Sequence, residues 1–204
     1  ALISENGEMF GEEYTLVAVA DYVLKHTPGN TVSNLSSSRA LKDVTEAYGQ
    51  QYHAAAVGEV NVVAEMKRTH SVIGGEGNGG VIYPESHYGR DALVGVGLFL
   101  SHYVAQSKKM TELKSTYPPY FISKNKMTLS PDMDVDKILE GLKERYATEK
   151  VTDIDGVKID FAQGWVHLRK SNTEPIIRIY SEAKDEAAAN QLAEEVIAAA
   201  KSTL

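Results

Sequence analysis

Between two apolar, strand-like runs, Trp165-Val166-His167-Leu168 and Ile176 to Tyr180, the chain places Arg169, Ser171, Asn172 and Thr173, then Glu174-Pro175, with Arg178 inside the second run. Guanidinium groups, hydroxyls and free backbone N–H groups converging on one turn are the donors that a phosphate needs. Arg169 and Arg178 can supply the first, Ser171 and Thr173 the second, and the turn backbone the third. Pro175 stops the loop. An ordinary polar hairpin on a solvated edge would use the same residue types, so this segment alone leaves two readings open.

A second segment reads Gly74-Gly75-Glu76-Gly77-Asn78-Gly79-Gly80, between Val72-Ile73 and Val81-Ile82-Tyr83. Such glycine density permits φ > 0 and lets a ligand come close to the main chain. Glu76 and Asn78 are the side chains between the glycines. A carboxylate accepts from two neighbouring hydroxyls and an amide both donates and accepts, so the pair suits a sugar diol. Arg90 follows the segment and could reach the same ligand, with Asp91 or Glu85 as competing ion-pair partners. A flexible hairpin connection is the plain alternative. One loop suited to hydroxyls and one suited to phosphate point together to a sugar phosphate.

The two loops resemble the sugar-binding loop (Gly-Glu-x-Ser/Asn-Gly) and the phosphate-binding loop (Arg-x-Ser-x-Thr-x-Pro) of the α-D-phosphohexomutase family. The spacing between them, and the Val57-Gly58 step ahead of the first, are also similar to that family. Two departures stand out: many members place His where this chain has Gly80, and Asn78 replaces the commoner Ser. The resemblance implies a layered α/β sheet domain followed by a small α+β domain like the TATA-box-binding protein. It implies a substrate-binding C-terminal part of an enzyme that interconverts hexose 1-phosphate and hexose 6-phosphate. In the family a phosphoserine, Mg²⁺ and a hexose 1,6-bisphosphate intermediate carry that reaction. Glu76, Gly77, Asn78 and Arg90 would then hold the sugar, and Arg169, Ser171, Asn172, Thr173 and Arg178 the phosphate. The hexose preference lies among glucosamine, glucose and mannose. The phosphoserine loop and the acidic metal loop (Asp-x-Asp-x-Asp-Arg) are not among the 204 residues. Ala1-Leu2-Ile3-Ser4 reads as the end of a strand before an Asn6-Gly7 turn, so the expected partner is the N-terminal part of the same polypeptide. A stand-alone sugar-phosphate-binding module without catalysis is the second reading.

Strands and helices must position these loops. Leu16, Val19, Ala20, Val23 and Leu24 give Glu12 to His26 a helical spacing that Thr27-Pro28-Gly29-Asn30 breaks. The resemblance assigns residues 1–27 to a remnant of the second mutase domain and 28–110 to the third. From Thr31 onward strands alternate with helices, arguing an α/β sheet. The spacing gives a strand at 31–35 and a helix from the Ser36-Ser37-Ser38 cap to Tyr48. A short apolar run spans 53–57, a helix 60–67, and a long apolar helix runs from Arg90-Asp91 to Ala105. Residues 111–129, with lysines around Tyr117-Pro118-Pro119-Tyr120, read as a polar linker. Residues 130–204 read as the C-terminal domain: a helix from Val135 to Tyr146, a hairpin about Asp155-Gly156, the strands of the phosphate loop, and an Ala-rich helix to Lys201. This succession of helix, strands and helix describes a compact α+β unit.

Composition limits the function classes. A hydrophobic content of 43% and a charged content of 24% are ordinary for a soluble globular protein. The net charge of −7 argues against general nucleic-acid binding, and no apolar run is long enough for a membrane helix. Zero cysteines exclude disulfides and thiolate metal sites and fit a reducing cytoplasm. Pro131-Asp132-Met133-Asp134-Val135-Asp136 imitates a metal loop, but acids where a helix begins serve as caps. The six histidines (His26, His53, His70, His87, His102, His167) lack a ligand spacing. Trp165 and Tyr180 lie in strand runs and are expected in packing rather than on a sugar.

Overall fold

The computed structural model describes residues 1–130, 133–171 and 174–202. They form two compact units, Ala1–Pro119 and Tyr120–Leu204. In the first, strands β1 (Thr31–Asn34), β2 (Tyr52–Ala55), β3 (Ile73–Glu76) and β4 (Gly80–Ile82) make one sheet in the order β2-β1-β3-β4. β1 is parallel to β2 and to β3, whereas β4 returns antiparallel to β3. The C-terminal ends of the three parallel strands lie together, and Asn34, Glu76 and the turn after Ala55 sit there. Open α/β sheets bind their ligands at this edge.

Helices α1 (Glu12–His26), α2 (Ala40–Ala47), α3 (Glu59–Thr69), α4 (Ala92–Gln106) and the short α5 (Met110–Lys114) complete the unit. α1 packs within this first unit. Leu16, Val17, Ala18, Val19, Ala20, Val23 and Leu24 are all buried, and Phe10 meets Phe99 of α4 edge-on at 5.1 Å. A polar cluster pins the same helix: the Asp21 carboxylate accepts from Tyr48 Oη at 2.6 Å and from Tyr117 Oη at 3.0 Å. His102 Nε2 of α4 stands 2.7 Å from Tyr117 Oη. Burial and the Asp21 charge push both phenols' pKa values upward, and burial pushes that of His102 down.

In the second unit, β5 (Phe121–Thr128), β6 (Lys150–Thr152), β7 (Val157–Asp160), β8 (Gly164–Lys170) and β9 (Ile176–Ala183) form an antiparallel sheet in the order β5-β9-β8-β7-β6. Helices α6 (Val135–Arg145) and α7 (Glu186–Lys201) pack on one face. Ile138, Leu142, Leu192 and Val196 meet Ile159, Val166, Leu168, Ile177 and Ile179 there. The order is therefore β–α–β–β–β–β–α. The strand missing from the sequence reading is β5, which lies inside the expected linker. Its Lys124 and Lys126 point outward while Ser123 and Met127 are buried, and lysines on an edge strand deter further pairing. At Asp155-Gly156 the hairpin forms as expected, with Gly156 at φ +69°. Asp134 caps α6 by accepting from the backbone N–H of Asp136 and Lys137; Pro131 and Asp132 lie outside the described residues.

Candidate functional site

The glycine-rich segment is not a loop but a tight hairpin. Gly74, Gly75 and Glu76 belong to β3, Gly80 belongs to β4, and only Gly77, Asn78 and Gly79 turn between them. Within it, positive φ is confined to Gly79, at +82°. Gly75 serves close approach instead: a Cβ there would stand 1.9 Å from the Gly80 carbonyl oxygen. The apolar residues Val72-Ile73 and Val81-Ile82-Tyr83 mark where the strands lie, but glycine carries no side-chain pattern to show how far they reach into the segment.

Glu76, buried at 6% exposure, ends β3 at the binding edge of the sheet. Its Oε1 accepts from Asn34 Nδ2 at 2.9 Å and from the Gly58 N–H at 3.3 Å, while Oε2 faces Arg90 Nη1 at 3.4 Å. Asn34 in turn accepts from Ser37 Oγ and the Ser36 N–H, so its amide orientation is fixed. Ser37 Oγ also accepts from the Gly77 N–H at 2.9 Å, and the Glu13 carboxylate lies against Gly77. Asn34, Ser37 and Glu13 are 40 or more residues in sequence from the Glu76 or Gly77 they meet, and nothing local announces them.

Arg90 does not pair with Asp91 or Glu85. Its Nε donates to Glu59 Oε2 at 2.7 Å, and its second partner is Glu76. Asp91 instead caps α4 and meets His87 Nε2 at 3.0 Å, and Glu85 accepts from Tyr83. The Arg90 hydrogen bonds hold the Glu59 carboxyl below the usual range. One guanidinium thus serves two carboxylates. Asn78 Oδ1 accepts from the Gly80 N–H, which leaves the exposed NH₂ of that side chain as its donor.

In the second unit Arg169 and Arg178 stand directly opposite each other on β8 and β9, and Lys126 of β5 stands opposite Arg178. Their neighbours Leu168, Ile177, Ile179 and Met127 point into the core, so strand alternation sends this cationic row to the other face. Arg178 Nη2 pairs with Glu174 at 2.9 Å. Arg169 Nε is buried without a hydrogen-bond partner. Like charges directly opposite destabilise a sheet unless a counter-charge compensates them, and the Glu174 carboxylate is one such counter-charge. Ser171, almost fully buried, lies beyond the end of β8, and its N–H bonds the Ile176 carbonyl. Asn172 and Thr173 lie outside the described residues. Lys126 escaped the sequence reading because a separate strand supplies it.

Trp165 is fully buried and donates to Glu182 Oε1 at 2.8 Å, and Lys124 Nζ lies over the Tyr180 ring at 5.8 Å. Among the described residues no group of three or more His, Cys, Asp or Glu side chains could hold a metal ion. No helix among them is long and apolar enough to cross a membrane.

Comparison with known proteins bears on these two sites. The family model for phosphoglucomutase/phosphomannomutase, alpha/beta/alpha domain III, matches residues 11–120, and that for the C-terminal domain matches residues 124–199. The chain belongs to the phosphoglucomutase/phosphomannomutase family. It is 36% identical over 195 residues to a phosphoglucomutase/phosphomannomutase of Thermococcus kodakarensis, covering 94% of this chain and 42% of that protein. It is 36% identical over 167 residues to a phosphoglucosamine/phosphogalactosamine mutase of Sulfurisphaera tokodaii, covering 81% of this chain and 37% of that protein. Its fold matches the crystal structure of a family protein from Burkholderia thailandensis, with a TM-score of 0.81 at 22% identity, covering 98% of this chain and 43% of that one. The chain therefore spans less than half the length of the curated relatives it matches. The domain III match begins one residue before α1, in keeping with that helix packing inside the first unit.

Proposed function

We propose that this chain is the substrate-binding C-terminal part of a mutase that interconverts hexose 1-phosphate and hexose 6-phosphate through a phosphoserine and a hexose 1,6-bisphosphate. The observation that carries the phosphate half is the cross-strand pair of Arg169 and Arg178, with an unsatisfied guanidinium N–H on Arg169. Two cations facing each other on one sheet, beside the Ser171 hydroxyl, are a receptor for the phosphate that does not react. Arg169, Ser171, Asn172, Thr173 and Arg178 form this half, and Lys126 adds charge at its edge.

The hydroxyl half is the hairpin. Glu76 is held by Asn34, Gly58 and Arg90, so its orientation is set before a ligand arrives and no rotamer entropy is lost on binding. A carboxylate has about four acceptor positions, and three are engaged here, leaving room for a hydroxyl beside Oε2. The Asn78 NH₂ donates, Gly77 and Gly79 open the backbone, and Arg90 supplies a cation. In such an enzyme the sugar presents first one end and then the other, so recognition must come from positioning and electrostatics. Among the described residues no group of three or more His, Cys, Asp or Glu side chains is suited to hold the Mg²⁺ of such an enzyme.

The test is direct. Removing one partner of a desolvated charge pair costs about 2–5 kcal/mol, so Arg169→Ala should weaken binding of a hexose phosphate by at least about thirtyfold in calorimetry. Glu76→Gln should cost less, because the amide keeps an oxygen acceptor for hydroxyls. Unchanged affinity in Arg169→Ala, with abolition in Glu76→Gln, would overturn the assignment of phosphate to one loop and hydroxyls to the other.

A further inference from the structure

The two glycines that flank Asn78 are glycine for different reasons. Gly79 takes φ +82°, a conformation that side chains disfavour. Gly77 lies outside that left-handed region, so its backbone alone would accept any residue. What forbids a side chain there is Glu13 of α1: a Cβ on Gly77 would overlap both oxygens and the Cδ of the Glu13 carboxylate. The carboxylate therefore lies directly against the Gly77 backbone, in the space that a side chain would fill.

This contact closes a ring. Glu13 Oε2 accepts from the Ser38 N–H at 2.8 Å, and the neighbouring Ser37 Oγ accepts from the Gly77 N–H at 2.9 Å. Two adjacent serines thus hold the two groups that touch each other. From the same ring Ser37 Oγ donates to Asn34 Oδ1, and the Asn34 amide donates to Glu76 Oε1. The root of Glu13 is fixed, because Tyr14, Leu16, Val17 and Ala18 bury the turn of α1 that carries it. The hairpin tip has no such support of its own. Glycine loses more conformational freedom on ordering than any other residue, so Gly77-Asn78-Gly79-Gly80 must be held from outside. A carboxylate bonded to an N–H just ahead of α2 could serve that helix alone. That role accounts for the Ser38 bond and leaves the bare Cα at position 77 without a reason.

We propose that Glu13 is a positioning residue for hydroxyl recognition: anchored on Ser38, its carboxylate seats Gly77 and so fixes the directions of Asn78 and Glu76 before a sugar arrives. The proposal rests on the reading of the hairpin as the sugar site. The seat itself is a property of the free chain.

The seat is tested first without ligand, by NMR hydrogen exchange. Glu13→Ala should speed exchange of the Gly77 N–H at least about tenfold and leave the Val32 N–H of β1 unchanged. Glu13→Gln keeps an oxygen acceptor for the Ser38 N–H and should restore most of the protection. Glu12→Ala removes the exposed carboxylate next to it on the same helical turn and should change neither amide. The consequence is tested by calorimetry with glucose 6-phosphate. Glu13→Ala should weaken binding at least about fivefold, and Gly77→Ala by a similar factor, because its methyl group displaces the carboxylate. Both changes remove one contact, so the double variant should bind no more than about twofold worse than the weaker single variant. Losses that multiply would overturn the proposal, as would a Gly77 N–H whose exchange ignores Glu13→Ala. A Gly77 N–H that responds to Glu13→Ala, in a chain that binds no glucose 6-phosphate, would sink the sugar reading and leave the seat standing.

Discussion

At the residue scale, the departure at Gly80 has a physical consequence. A Cβ at that position would stand 2.6 Å from Arg90 Cδ, so the bare glycine is what lets the Arg90 stem lie over the hairpin and reach Glu76. The cation next to the Glu76 carboxylate thus comes from a residue ten positions on. In the second unit, His167 shows how burial fixes a protonation state. It is 1% exposed, its Nε2 donates to the Asp155 carbonyl at 2.7 Å, and burial presses its pKa down to about 4. The unfolded chain titrates near the ordinary value of 6.5, so it binds the proton first as pH falls. Stability from neutral His167 is complete above about pH 6.5 and is lost toward pH 4, by about 3 kcal/mol at most. Urea denaturation of the wild type should show that loss, and His167→Gln should flatten it. A parallel pH dependence in both proteins would show that other groups cause it.

At the element scale, α1 and the Asp21 cluster explain why a helix that looks separable is not. Asp21→Ala removes the acceptor of the Tyr48 and Tyr117 hydroxyls, and leaving a buried hydroxyl unsatisfied costs about 1–3 kcal/mol. Urea denaturation followed on the first unit should register that loss, and Tyr48→Phe in the Asp21→Ala background should recover part of it, because Tyr117 keeps His102 as a partner. No recovery would mean that the cluster does not act as a unit. The helices were legible in the sequence because apolar residues at helical spacing need no partner to be recognised: α1 occupies the expected Glu12–His26, and α7 follows its Asp185 cap. Strands that depend on distant pairing were not. β5 hid behind lysines because its buried residues are Ser123 and Met127, a weak alternation. β3 showed only its apolar start at Ile73, because its glycines exist for contact with β4 and have no pattern to offer. The site residues with local signals, Glu76, Arg169 and Arg178, were legible. Asn34, Glu59 and Lys126 were not, since only the folded sheet brings them to those positions.

At the scale of the whole molecule, recognition and chemistry separate. Each unit has its own sheet and its own core, and the proposed donor sets differ: acceptors for hydroxyls in the first, cations for phosphate in the second. Transfer of a phosphoryl group needs more than this. It needs a group that gives and retakes the phosphate, and a strong local positive charge to stabilise the transferring oxygens. The buried serines near the hairpin do not offer the first: Ser37 is engaged by Asn34 and Gly77, and Ser38 accepts from the Ala40 N–H. Of the cations at the two proposed sites, Arg90 is paired with Glu59 and Glu76, and Arg178 with Glu174. We therefore expect the 204-residue chain to bind a hexose phosphate yet not interconvert its 1- and 6-isomers. Phosphorus NMR of glucose 1-phosphate with the purified chain, Mg²⁺ and a bisphosphate activator should show a shifted bound signal but no 6-phosphate. Turnover that disappears in Arg169→Ala would refute this expectation, because only activity belonging to this chain would respond to a change in its own phosphate receptor.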